Sequence, residues 1–217
     1  MLILAFDTSL NSCSLTISRN RKVLSETILF QDHGSSEVII PILQEQVKKA
    51  KIQFHDIDLI GISRGPGSYT GVRVGISVAK GLALSLKKPI VGVSSLQILA
   101  YEARINTDNN RDIIVINKAR GKEIYFQYFS HLGSPKNTPT KLNLMDLMDF
   151  LSVNKCTVTG NLISDIKKLI ENYQIILYEN NSSKFLPSTL ISYILNDLVE
   201  NNTITNYYGC DPIYLNT

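Results

Sequence analysis

The stretch Ile57-Asp58-Leu59-Ile60-Gly61-Ile62-Ser63-Arg64-Gly65-Pro66-Gly67-Ser68-Tyr69-Thr70-Gly71-Val72-Arg73-Val74-Gly75 decides how this chain is read. Its apolar run stops at Ile62, and Arg64-Gly65-Pro66-Gly67 follows, a combination that suits neither a helix interior nor a strand interior. Thr70 offers an N-cap oxygen, and an apolar helical pattern begins at once. The stretch therefore reads as a strand, a glycine loop and a helix N-terminus. Unpaired N–H groups and a partial positive charge suit such a junction to an anion or a nucleotide. It is either a working phosphate loop or the remnant of one, kept for packing and contact.

Spacing bears on that choice. A Walker loop ends in Gly-Lys-Ser or Gly-Lys-Thr, whereas Gly121-Lys122 here precedes Glu123. A dinucleotide loop needs Gly-x-Gly-x-x-Gly, and Gly65, Gly67 and Gly71 are one residue too wide. No acid follows the next strand, which ends at Val93-Ser94-Ser95. Asp7-Thr8-Ser9, at the end of the first strand, could hold a Mg²⁺-bound phosphate. It could equally be an Asx-type turn serving its own hairpin. Asp7, Thr8, Ser9, Gly65 and Gly67 together form the candidate vestigial nucleotide-binding group.

Outward from this junction, strands are expected over 2–7, 12–19 and 22–30, with turns at Asp7–Ser12 and Arg19–Arg21. A helix is expected over 36–50, then a strand over 58–63, a helix over 70–87, a strand over 90–93 and a helix over 95–104. Asn106-Thr107-Asp108-Asn109-Asn110 reads as a linker between residues 1–105 and 106–217. The second part is expected to hold strands at 112–117, 123–130, 156–159 and 174–178, and helices at 144–152, 162–172 and 188–200. Three strands followed by alternating helices and strands is an α/β order.

Hydrophobic residues make up 44% of the 217 and charged residues 19%, enough for an ordinary core and too apolar for disorder. The net charge of +3 is mild, and Lys48, Lys49 and Lys51, Lys87 and Lys88, and Lys167 and Lys168 form only short clusters. Cys13, Cys156 and Cys210 have neither zinc spacing nor a disulfide pattern. His33, His55 and His131 are isolated, so no metal site is expected. No Gly-x-Ser-x-Gly elbow is present. No leader pattern or apolar run of membrane length appears, and the expected setting is the reducing cytoplasm.

Gly71, Gly75, Ala79 and Ala83 recur every four residues, leaving one side of their helix almost without bulk. Each helical glycine costs about 1 kcal/mol relative to alanine, so something must approach that side closely. Its own sheet and a helix of another subunit both meet the requirement.

Several segments resemble the bacterial TsaB family, also called YeaZ. They are Ile3-Leu4-Ala5-Phe6-Asp7-Thr8-Ser9, His33-Gly34-Ser35-Ser36-Glu37, Ser63 to Gly75, Ala79-Lys80-Gly81-Leu82-Ala83, Val91 to Leu96, Ala119 to Tyr125 and Pro212-Ile213-Tyr214-Leu215. The match is dense to about residue 125 and sparse beyond. Asn117 stands where the family pattern has Asp, and Gly34 is an insertion. The resemblance implies an α/β, actin-like (ASKHA, ribonuclease H-like) fold with two subdomains. It implies a non-catalytic partner of TsaD in forming threonylcarbamoyladenosine beside the anticodon of tRNAs reading A-starting codons. TsaE and TsaC complete that pathway. The paralogue TsaD holds a metal through a His-x-x-x-His motif that this chain lacks. No cofactor is therefore expected here, with ATP and a metal in the partner proteins. A homodimer is expected when the chain is alone. The resemblance places contact on helices of the N-terminal subdomain, with Val38, Ile42, Gly71, Val74, Gly75, Ala79 and Ala83 as the expected interface. An ATP-dependent kinase of the same fold, or a glycoprotease-like peptidase, is the alternative.

Overall fold

The computed structural model of the chain describes residues 1–10, 12–30, 35–107, 110–179, 186–201 and 209–215. They fall into two compact units, Met1–Ser95 with Lys184–Tyr214, and Leu96–Ser183 with Leu215–Thr217. The His33-Gly34 helix start and part of the expected 106–110 linker lie outside the described residues.

The first unit opens with strands β1 (Leu2–Leu10), β2 (Ser12–Arg19) and β3 (Lys22–Phe30), an antiparallel meander. Asn20 and Arg21 both take positive φ, the two-residue turn whose twist matches a hairpin. Helix α1 (Ser35–Lys49) leads to β4 (Leu59–Ser63), α2 (Tyr69–Leu86) and β5 (Ile90–Val93). The sheet order is β3-β2-β1-β4-β5, with β4 parallel to both β1 and β5. Alternation along β1 and β2 sends Leu2, Leu4, Phe6, Cys13, Leu15 and Ile17 into a core shared with Ile39, Leu43, Val72 and Ile76 of the two helices. Helix α6 (Ser188–Glu200) belongs to this unit too, and its Ile191 and Leu195 seat against Gly61 of β4.

In the second unit, β6 (Asp112–Lys118), β7 (Ile124–Phe129), β8 (Thr140–Leu142), β9 (Cys156–Thr159) and β10 (Ile176–Tyr178) form a sheet of order β10-β9-β6-β7-β8. Strands β6, β7 and β8 are antiparallel, and β9 runs parallel to β6 and β10. Reversed, this is the topology of the first sheet. Helix α3 (Ser95–Asn106) lies almost wholly in this unit, with α4 (Leu144–Val153) and the short α5 (Ile163–Ile166).

Three expectations are corrected. The division is not at 105/106: α3 joins the second unit and α6 the first. Ser14 and Thr16 of β2 sit beneath α6, where Ser14 Oγ donates to the Leu186 carbonyl at 2.6 Å and Thr16 Oγ1 lies 2.7 Å from Ser188 Oγ. The sheet of the first unit thus needs α6 to cover those polar strand positions. The helix expected over 162–172 is one α-helical turn followed by a 3₁₀ turn at Lys167–Ile170. No strand is expected between 130 and 156, yet Thr140–Leu142 forms the edge strand β8 through its pairing with β7.

The small-residue side of α2 faces its own sheet. A Cβ at Gly71 would overlap the Thr8 carbonyl oxygen, and one at Gly75 would overlap Thr8 Oγ1 and come within 3.0 Å of Ile62 Cδ1. Around Gly81, by contrast, a Cβ would meet nothing within 4 Å. Gly71→Ala is therefore expected to destabilise the protein by about 1–3 kcal/mol through overpacking against backbone. Gly81→Ala should stabilise it by about 1 kcal/mol by removing a helix-interior glycine. Urea denaturation of the two variants beside the parent chain measures both.

Candidate functional site

Asp7, Thr8 and Ser9 lie within β1 and are fully buried. Asp7 Oδ1 accepts from Ser9 N at 3.2 Å and from Ser9 Oγ at 2.6 Å, closing an Asx-type turn. Thr8 Oγ1 donates to the Gly71 carbonyl at 2.7 Å. The Ser9 carbonyl accepts from Ser68 N at 2.7 Å, and a Cβ at Gly67 would overlap that same carbonyl oxygen. Ser63 Oγ, at the end of β4, reaches Ser9 Oγ at 3.4 Å. Gly65 holds φ at 81°, a left-handed value open to glycine, and its carbonyl accepts from Ser95 N at 2.9 Å.

Of the candidate nucleotide-binding group, Asp7, Thr8, Ser9 and Gly67 thus meet where β1 touches the start of α2, with Asp7 and Ser9 bonded to each other, Thr8 to Gly71 and the Ser9 carbonyl to Ser68, while Gly65 bonds Ser95 beside them. The N-cap of α2 is Ser68, whose Oγ accepts from Gly71 N at 3.3 Å, and not Thr70 as expected. The helix starts one turn-position earlier because Gly67 lets Ser68 close on β1. Asp7 Oδ2 has no hydrogen-bond partner among the described residues. Burial pushes the Asp7 carboxyl up to about 6, against the lowering effect of the Ser9 and Ser63 hydroxyls and the Ser9 N–H.

The expected interface set is not a surface. Gly71 and Gly75 are buried against Thr8 of β1, Gly75 also against Ile62 of β4, and Ala79, Ala83 and Ile42 are in the core. Val38 and Val74 are partly buried against that core. The reason is the close helix–sheet approach that the two glycines permit. Val72 and Ile76 enter the core beside the stripe, and on the far side of α2 two large side chains stand out: Leu84 is 83% exposed and Tyr69 56%. On α1, Ile40 is 45% exposed.

Sequence reasoning missed a cluster at the start of this outer face. The Arg73 guanidinium lies 3.8 Å from the centre of the Tyr69 ring and 5.4 Å from that of Tyr214. Its Nε donates to the Tyr214 hydroxyl at 2.6 Å, which favours the charged guanidinium. Tyr69 and Arg73 are four apart on the helix and were readable as neighbours. Tyr214 arrives with the tail: Ile213 N donates to the Arg64 carbonyl at 2.9 Å, and Lys80 pairs with Asp211 at 3.0 Å. Nothing in the sequence pattern signals that meeting.

The turn Ala119–Lys122 joins β6 to β7, with Gly121 at φ 70° and Ala119 N donating to the Glu123 carbonyl at 3.0 Å. Cys13, Cys156 and Cys210 are unbridged and buried, and burial pushes the thiols of Cys13 and Cys156 up to about 12. Among the described residues no group of three His, Cys, Asp or Glu side chains could hold a metal ion. Among them, too, no helix is long and apolar enough to cross a membrane.

The duplicated five-stranded sheet and the strand–loop–helix junction define a class, the actin-like α/β proteins. Solved structures agree: YeaZ from Pseudomonas aeruginosa superposes with a TM-score of 0.79 at 21% identity, covering 99% of both chains. Lmo2764 from Listeria monocytogenes, provisionally assigned as an N-acetylmannosamine kinase, does so with a TM-score of 0.59 at 11% identity, over 93% of this chain and 100% of that one. The family model of TsaD, tRNA N6-adenosine threonylcarbamoyltransferase, matches residues 22–180. The tRNA threonylcarbamoyladenosine biosynthesis protein TsaB of Buchnera aphidicola subsp. Schizaphis graminum is 32% identical over 181 residues, 82% of this chain and 85% of that protein. TsaB of Buchnera aphidicola subsp. Acyrthosiphon pisum is 28% identical over 200 residues, 89% and 88% of the two chains. This chain belongs to the TsaB (YeaZ) family of tRNA threonylcarbamoyladenosine biosynthesis proteins.

The buried Asp7 carboxyl makes stability depend on pH. Below the unfolded value of 3.8 both states carry the proton and burial costs nothing. Between that value and about 6 the unfolded chain loses its proton first, so stability falls as pH rises; above about 6 the penalty is constant. Asp7→Asn keeps the Oδ1 acceptor without the charge. It should raise stability at pH 8 by about 1–3 kcal/mol and flatten the slope between pH 4 and 6, measured by urea denaturation across that range.

Proposed function

We propose that this protein is a non-catalytic partner of TsaD in the threonylcarbamoyl modification of adenosine beside the anticodon of tRNAs reading A-starting codons. It works in the cytoplasm, with TsaE as a further member of the assembly and tRNA reached through the complex. It holds no cofactor of its own; ATP and the metal belong to the partners. The observation that carries this reading is the internally bonded group around Asp7. The hydroxyls and backbone groups that would face a phosphate in a working site are taken up by Ser9, Gly71 and Ser68. The chain also lacks the His-x-x-x-His pattern of the catalytic paralogue, its histidines standing at 33, 55 and 131. A kinase of the same fold would need those phosphate contacts free.

The docking surface in this reading is the outer face of α1 and α2, not the small-residue stripe beneath it. Leu84 and Ile40 stand exposed there, and the open space at Gly81 allows a partner helix to come close. The occupant is TsaD. The match of the TsaD family model to residues 22–180, α1 and α2 included, favours pairing between two related helix pairs. A second copy of this chain takes the same face when TsaD is absent.

Reconstitution tests the proposal. TsaD, TsaE and a threonylcarbamoyl-AMP source should modify tRNA only when this chain is added. Leu84→Asp should leave the circular dichroism spectrum unchanged, weaken TsaD binding at least about tenfold and lower modification in step. Full modification without the chain would defeat the reading, as would unaltered TsaD binding by Leu84→Asp.

A further inference from the structure

We infer that Arg73, held between Tyr69 of α2 and Tyr214 of the C-terminal tail, is the charged anchor of the docking face and receives a carboxylate from the protein partner. This rests on the reading of α2 as the surface that meets TsaD.

Tyr69 and Tyr214 have ring centres 5.6 Å apart, and Arg73 stacks on the first while donating Nε to the second. The guanidinium is thereby fixed in orientation at the surface, and the immobilisation cost of a long side chain is met before any partner arrives. Arg73 has no carboxylate within ion-pairing distance among the described residues, and its Nη atoms form a planar fork suited to one. Tyrosine and arginine held in this way are the residue types that dominate protein interfaces.

Position supports the same occupant. Tyr69, Arg73, Ser77, Lys80 and Leu84 follow one another at helical spacing along the exposed side of α2. Arg73 and Leu84 are eleven residues apart on the helix, about 16 Å, a span that a single interface covers. An RNA backbone finds less here. Lys80, the next cation along, is paired with Asp211, and the face then runs into the apolar Leu84. Because Asp211 and Tyr214 both bind α2, residues 211–214 of the tail form part of the surface offered to the partner.

The test uses the full chain and purified TsaD, with calorimetric binding at low and high salt and melting temperature as the control. Arg73→Lys keeps the charge but loses the fork and the stack, and should weaken TsaD binding by about tenfold with an unchanged melting temperature. Arg73→Glu should weaken it further. Tyr214→Phe keeps the ring and loses only the hydroxyl, and should give a smaller loss. High salt should weaken the parent chain and narrow its difference from Arg73→Glu, because it screens the attraction in the first and the repulsion in the second. If Arg73→Lys and Arg73→Glu bind TsaD like the parent while Leu84→Asp does not, the anchor assignment falls and the docking face stands. If Leu84→Asp also binds normally, both fall. The third arm is fluorescence anisotropy with an anticodon stem–loop RNA. Loss of RNA binding by Arg73→Glu, with TsaD binding intact, would make RNA the occupant and overturn the proposal.

Discussion

The contact on which the first unit depends is the approach of α2 to the end of β1, side chain absent against backbone. Thr8 puts its carbonyl oxygen and its hydroxyl into the places where Cβ atoms of Gly71 and Gly75 would otherwise be. Thr8 Oγ1 then bonds the Gly71 carbonyl, so the helix and the strand are linked at the point of closest approach. Two glycines inside a helix are unfavourable by themselves, by roughly 1 kcal/mol each. The close packing of Val72 and Ile76 into the core offsets that cost. The same approach seats Gly67 and Ser68 against the Ser9 carbonyl and leaves Tyr69 and Leu84 on the solvent side of α2.

The architecture is a duplication that the sequence conceals. Each sheet is a three-stranded meander with two parallel strands added beyond its first strand. The helix following each last strand, α3 after β5 and α6 after β10, is counted with the other unit. Beneath α6, β2 therefore carries a buried polar row, Ser12, Ser14, Thr16 and Ser18, opposite its apolar row of Cys13, Leu15 and Ile17. Ser14 and Thr16 are bonded to the start of α6, while the Ser12 and Ser18 hydroxyls have no partner among the described residues. Burying such a row is tolerable only because a helix N-terminus supplies polar groups to meet it.

A site that binds phosphate presents unpaired backbone donors; around Asp7, Ser9 N is given to Asp7 Oδ1, Ser68 N to the Ser9 carbonyl and Gly71 N to Ser68 Oγ. The Asp7 carboxylate is closed into a turn with Ser9, and the glycine loop is bonded to the strand beside it. What the unit offers outward is a helix face with an exposed leucine at one end and a stacked arginine at the other. Chemistry that has been drawn inward and apolar surface that has been pushed outward are two results of one packing arrangement.

The sequence alone determined the elements and much of their order. Glycine and proline punctuate the stretch from Arg64 to Gly67, strand alternation marks β1 to β3, and helical periodicity marks α1 and α2 nearly to their ends. It also singled out Asp7, Thr8, Ser9, Gly65 and Gly67, and the structure packs Gly67 against Ser9. These are local signals, fixed by backbone sterics and by the spacing of apolar residues within ten or twenty positions. Only the tertiary structure decided which way the Gly71–Ala83 stripe faces. A side without bulk suits its own strand as well as a foreign helix, and the choice rests on Thr8, sixty-three residues before Gly71. It also decided the unit to which α6 belongs and the meeting of Arg73 with Tyr214, 141 residues apart. No periodicity within a segment carries such information, because the partners are selected by the path of the chain and not by their neighbours in it.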